Sequence, residues 1–147
     1  TEWELGAPQG NGPDAAANGS NVYGTDLDAN FEWDTDARLR SPVINLAGVE
    51  NGRLYFRHFL DCESSIDGQL FDFAQVNILD RNGNTLAPNV FQEGGRTDGW
   101  KVREVLLPLS AATREIILEF RFVSDNFDDL DFGPQAGWFI DDVAIVP

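Results

Sequence analysis

From Ile116 to Phe122 the chain alternates: Ile116, Leu118, Phe120 and Phe122 share one parity, while Ile117, Glu119 and Arg121 take the other. Successive side chains on a strand point to opposite faces, so a period of two places one apolar face against a core. A single sheet cannot cover such a face, and a second layer is required. The pattern recurs. Leu54, Phe56, His58 and Leu60 alternate with Tyr55, Arg57 and Phe59; Ala74, Val76 and Ile78 alternate with Gln75 and Asn77. Val102 to Leu109 and Trp138 to Val146 are further strand-length segments. Asn82-Gly83, inside Asp80-Arg81-Asn82-Gly83-Asn84, suits the type I′ turn of a hairpin. The first third, from Gly6 to Gly24, is dense in Gly, Pro and Asn and reads as ordered loop with short strands. No segment sustains a helical period beyond the short Leu109 to Arg114 connection. These residues predict an all-β fold, a two-sheet antiparallel β-sandwich of jelly-roll type, with residues 1–147 forming one domain.

A chain of 147 residues with 42% hydrophobic side chains, 11 Phe and 4 Trp has the material for one core. Its net charge of −15 repels polyanions, which argues against nucleic acid and anionic membrane as partners. Cys62 is the single cysteine, so neither an internal disulfide nor a thiolate cluster can form. The start at Thr1 without any Met suggests a processed protein or a domain of a longer one, and no apolar stretch suits membrane insertion.

His58 is the sole histidine, set between Phe56 and Leu60, where packing is the expected role. The chain lacks a G-x-S-x-G elbow, an H-E-x-x-H helix and a phosphate-binding G-x-x-x-x-G-K-[ST] loop. A non-catalytic module is therefore expected, with glycoside hydrolysis by two carboxylates as the one enzymatic route still open. Asp141-Asp142 interrupts an apolar strand, so alternation should turn at least one carboxylate toward a covered environment. A buried carboxylate needs a partner, and Ca²⁺, backbone amides, Arg57 or Arg121 are the candidates. Asp26, Asp28 and Asn30 have the opening spacing of an EF-hand loop, but Phe31 and Ala37 stand where that loop needs Gly and Glu. Two more acidic groups, Asp61, Glu63, Asp67 and Asp72, and Asp125, Asp128, Asp129 and Asp131, could supply further ligands, although charge runs of this kind are usually solvated loops. Trp33, flanked by Glu32 and Asp34, and Trp100, after Gly94-Gly95-Arg96-Thr97-Asp98-Gly99, are candidate platforms for a sugar ring, with Tyr23 and Asp125 beside them.

Trp3-Glu4-Leu5-Gly6-Ala7-Pro8, Gly19 to Leu27, Leu39-Arg40-Ser41-Pro42-Val43-Ile44-Asn45-Leu46, Asp61-Cys62-Glu63, Phe120 to Asp125 and Gly137 to Val143 follow one another in a recognisable order. This order resembles secreted bacterial jelly-roll domains of the MAM-like kind, found beside immune inhibitor A-type peptidases and in gingipain-type cleaved adhesins. The resemblance implies an extracellular or cell-surface accessory module of a larger multidomain protein, holding a structural Ca²⁺. It points to Asp141 and Asp142 as the leading metal ligands, with Glu4, Asp26 and Glu63 as further ones. The chain has no D-x-D-G-D-G run of the sort that gingipain-type domains often carry for calcium. The expected function is carbohydrate binding through Trp33, Trp100, Tyr23 and Asp125; the alternative is contact with a cell-surface protein, without sugar affinity.

Overall fold

The computed structural model describes residues 1–126 and 135–147. They form β1 (Glu4–Gly6), β2 (Val22–Gly24), β3 (Asp36–Arg40), β4 (Ile44–Asn45), β5 (Arg53–Asp61), β6 (Phe73–Asp80), β7 (Thr85–Glu93), β8 (Lys101–Leu106), β9 (Glu115–Val123) and β10 (Gly137–Val146). One antiparallel sheet runs β1-β2-β10-β5-β8, and the other runs β3-β9-β6-β7 with β4 also beside β9. The expected helical connection is only a 3-10 turn, Leu109–Ala111, and no helix among the described residues is long and apolar enough to cross a membrane.

The alternation read on β9 becomes the inner face of the second sheet: Ile116, Leu118, Phe120 and Phe122 are all buried. Leu54, Phe56, His58 and Leu60 of β5 oppose them from the first sheet. Phe56 lies edge-on to Phe91, Phe120 and Trp138, with ring centroids 5.2, 5.7 and 6.4 Å away. Truncating a phenylalanine packed in this way costs about 3–5 kcal/mol, from lost burial and the cavity left behind. His58 belongs to the same layer. Its Nδ1 accepts a hydrogen bond from Trp138 Nε1 at 3.0 Å, and its Nε2 lies 3.2 Å from Glu93 of β7, so one imidazole ties the two sheets together.

A second, smaller apolar cluster of Val22, Leu27, Ala136 and Phe139 packs with Phe59, Trp100 and Ala16 on the outer side of the first sheet. The loop between β1 and β2 roofs it. Gly12 comes so near Phe139 that a Cβ there would sit 2.5 Å from the ring, which leaves room for glycine alone.

Four connections meet at one end of the sandwich. β2 leads into β3, β5 into β6, β7 into β8 and β9 into β10 there, because Gly137 pairs with Asp61, Phe73 with Val123, and Ala74 with Glu93. That end carries the chemistry.

Candidate cation site and the loops around it

Three carboxylates from two of these connections converge. Ligand oxygens of Glu63, Asp72 and Asp125 all lie within 4.8 Å of one another. Glu63 follows β5, Asp72 precedes β6 and Asp125 follows β9, so strand pairing at the sandwich end forces acids distant in sequence together. Glu63 and Asp72 are buried and Asp125 is partly so. Asp72 Oδ1 accepts the Asp125 backbone amide at 3.0 Å, whereas its buried Oδ2 has no hydrogen-bond partner among the described residues. Burial, together with the charges of Asp125 and Glu63, pushes the Asp72 carboxyl up to about 7. Like charges gathered out of water repel, and a hard divalent cation removes both the repulsion and the missing contact. The three residues thus fit a metal ion with oxygen ligands.

The surrounding loops are pinned to the same backbone. Cys62 donates its amide to Gly95 O, and Gly95 donates to Glu63 O, each at 3.1 Å. Arg96 Nε lies 2.8 Å from Asp61 Oδ1, while Asp61 Oδ2 accepts the Ala136 amide at 3.0 Å. On the other side, the Asp34 amide donates to Asp125 O at 3.0 Å. Cys62 itself is buried, and burial pushes its thiol far above the ordinary range, so it is neither nucleophile nor ligand in its resting form.

Of the five residues expected as leading or further metal ligands, only Glu63 is in this cluster; Asp72 and Asp125 come from the two acidic groups that could supply additional ones. Asp141 and Asp142 sit elsewhere, in a bulge where β10 slips against β5 between Asp141 and Ala144. Asp142 adopts φ 51°, and this breaks the alternation on which the expectation of a covered carboxylate depends. Asp141 is half-buried and Asp142 is exposed. Asp141 accepts the Asn18 amide at 3.0 Å and the Asp142 amide at 2.9 Å, and Asp142 lies 3.5 Å from Arg57 Nε. Backbone amides and arginine serve this pair. Glu4 is exposed on β1 and accepts the Leu27 amide at 3.2 Å. Asp26 is half-buried nearby, and burial raises its carboxyl against an opposing hydrogen bond from Thr1.

The aromatic candidates divide. Trp33 is 60% exposed, on the β2–β3 connection that is bonded to Asp125. Trp100 is not an open platform: its Nε1 donates to Ala15 O at 2.9 Å, its ring meets Phe59 edge-on at 6.2 Å, and the β1–β2 loop lies over it. Tyr23 is 40% exposed and lines an apolar groove of about 160 Å³ with Leu39, Pro42, Ile140 and Val143. Asp67 is exposed at φ 51° in a tight turn. Asp128, Asp129 and Asp131 lie outside the described residues. The local signal for Asp72 is Phe71-Asp72-Phe73, an acid between aromatics at the mouth of an apolar strand.

No protein-family model matches the chain. Bacillopeptidase F of Bacillus subtilis (strain 168) is 29% identical over 144 residues, a stretch that takes in 97% of this chain and only 9% of that protein. Among solved structures, the K2 cleaved adhesin domain of Lys-gingipain superposes with a TM-score of 0.60 at 20% identity, covering 99% of this chain and 82% of that one. The enzymatically active domain of tailspike protein 4 of bacteriophage CBA120 superposes at 0.50 with 15% identity, over 97% of this chain and 19% of that one. The chain thus has the two-sheet jelly-roll fold of the K2 cleaved adhesin domain of Lys-gingipain, and its sequence is similar to a small segment of the much longer Bacillopeptidase F.

Proposed function

We propose that the chain is a non-catalytic accessory module of a larger extracellular protein, that Ca²⁺ held by Glu63, Asp72 and Asp125 organises its loop end, and that this end binds carbohydrate. The observation that carries the reading is the meeting, at one end, of a covered acid cluster and an exposed aromatic. The Asp34–Asp125 backbone bond joins the loop bearing Trp33 to a residue of the cluster, so cation binding would stiffen the platform. Similarity to a segment of a peptidase and the cleaved-adhesin fold support an accessory role. His58, with both ring nitrogens engaged in the core, is unavailable as a general base. A glycan array probed with and without Ca²⁺ tests the proposal. Binding that weakens on chelation, and about tenfold or more with Trp33→Ala, is expected for the loss of a stacking aromatic at a binding hot spot. An array without signal under either condition contradicts it.

The groove under Tyr23 favours a second reading, contact with a protein. It opens where β10 has run past its pairing with β2, which ends at Ile140, and Val43 and Val143 beside it are 49% and 42% exposed. Tyr23→Ser would then weaken adhesion to a cell surface and leave glycan binding intact.

A further inference from the structure

A second concave site lies at the same end, on the outer side of the first sheet. It is a groove of about 320 Å³ lined by Phe59, Leu60, Asp61, Arg96 and Asp98. Period-two geometry explains why Phe59 and Asp61 share this face: they are two residues apart on β5, while His58 and Leu60 point into the core. Phe59 is held in place by Trp100 at 6.2 Å and Phe139 at 5.8 Å, both edge-on, and it stays half-buried.

The polar wall is fixed before any ligand arrives. Asp61 is clamped by the Ala136 amide and by Arg96, and its contact with Arg96 sets an acceptor and a donor 2.8 Å apart. The loop presenting Arg96 and Asp98 is fastened by buried Thr97, whose Oγ1 accepts the Leu60 amide at 3.0 Å and donates to Gly99 O at 2.7 Å. Asp98, exposed at φ 53°, supplies another acceptor at the rim. An arrangement ordered in advance loses little conformational entropy on binding.

The geometry points to a subsite for one neutral pyranose ring, with the apolar face of the sugar on Phe59 and two neighbouring hydroxyls on the Asp61–Arg96 pair. A vicinal diol offers alternating donors and acceptors and so matches a carboxylate set beside a guanidinium. Among the described residues that line it, two carboxylates against one guanidinium leave the groove net negative, which selects against uronic acids, sialic acids and phosphorylated sugars. Small-molecule sites span about 300–1,000 Å³, so this one takes a single ring rather than an extended chain. The inference rests on the carbohydrate-binding reading and adds to it a location separate from Trp33 and a ligand class.

The test is amide NMR of the whole domain in Ca²⁺, titrated with glucose, galactose, mannose and N-acetylglucosamine, with glucuronate as the charged control. At least one neutral sugar should shift the amides of residues 59–61 and 95–99, and glucuronate should not. Arg96→Lys, which keeps the charge but loses the planar fork, and Asp98→Asn at the exposed rim should each weaken that sugar about tenfold, the scale of one hydrogen bond to a charged group. Trp33→Ala should leave these shifts intact. Shifts confined to the Trp33 loop, unchanged affinity in both groove variants, or a preference for glucuronate would overturn the subsite while sparing the broader proposal. Silence in the titration together with an empty glycan array would remove both.

Discussion

Two acid groups in this molecule look alike in composition and behave as opposites. Asp141 and Asp142 are neighbours in an apolar strand, yet a bulge turns them out to Asn18, Arg57 and water. Glu63, Asp72 and Asp125 are scattered over more than sixty positions, yet strand pairing draws them into one covered cluster. Acidity alone does not make a site. What distinguishes the second group is the burial of Asp72, whose Oδ2 has no hydrogen-bond partner among the described residues, whereas each carboxylate of the first group has amides or an arginine.

The sharpest separation comes from divalent ions. A ligand confined to the native state stabilises it by about 2.7 kcal/mol at one hundred times its dissociation constant, so chelation should lower Tm by roughly 5–10 °C. Melting curves in Ca²⁺ and in EDTA measure this, and identical curves would erase the contrast between the two groups.

Glu93 provides a control of intermediate size, because it is an acid that has found its partners. Burial would raise its carboxyl, but hydrogen bonds from His58 and Arg103 prevail and hold it at about 2. Its folded value lies below the ordinary 4.5, so its contribution is present above that pH and is lost as pH falls toward about 2. Glu93→Gln should cost on the order of 2–3 kcal/mol near neutrality and flatten the acid limb of stability in urea titrations. A variant as stable as the parent at pH 7 would show that the link between the sheets is idle.

The smallest effect belongs to the bulge. Asp141→Asn and Asp142→Asn should each cost less than about 1 kcal/mol, because exposed ion pairs contribute little, and the response to Ca²⁺ should be unchanged.

Sequence legibility follows the same division between local and distant causes. β5, β6, β9 and the apolar start of β10 are readable because alternation is a local property. β7 is not, since Pro88 and the left-handed Asn89, at φ 54°, break its period and its register with β6 shifts. Trp100 looks like an open platform in sequence; the loop that covers it begins more than eighty positions earlier. Glu63, Asp72 and Asp125 are each visible as acids, but only pairing of β6 with β9 brings the last two together. The bulge at Asp142 depends on a left-handed residue that nothing in the local pattern announces.

Isothermal titration of Ca²⁺ into the parent, Asp72→Asn and the double variant Asp141→Asn/Asp142→Asn tests the cation site most directly. A site of one ion that vanishes in Asp72→Asn and persists in the double variant is the predicted result. Binding that survives Asp72→Asn but is lost with Asp141 and Asp142 would contradict the account.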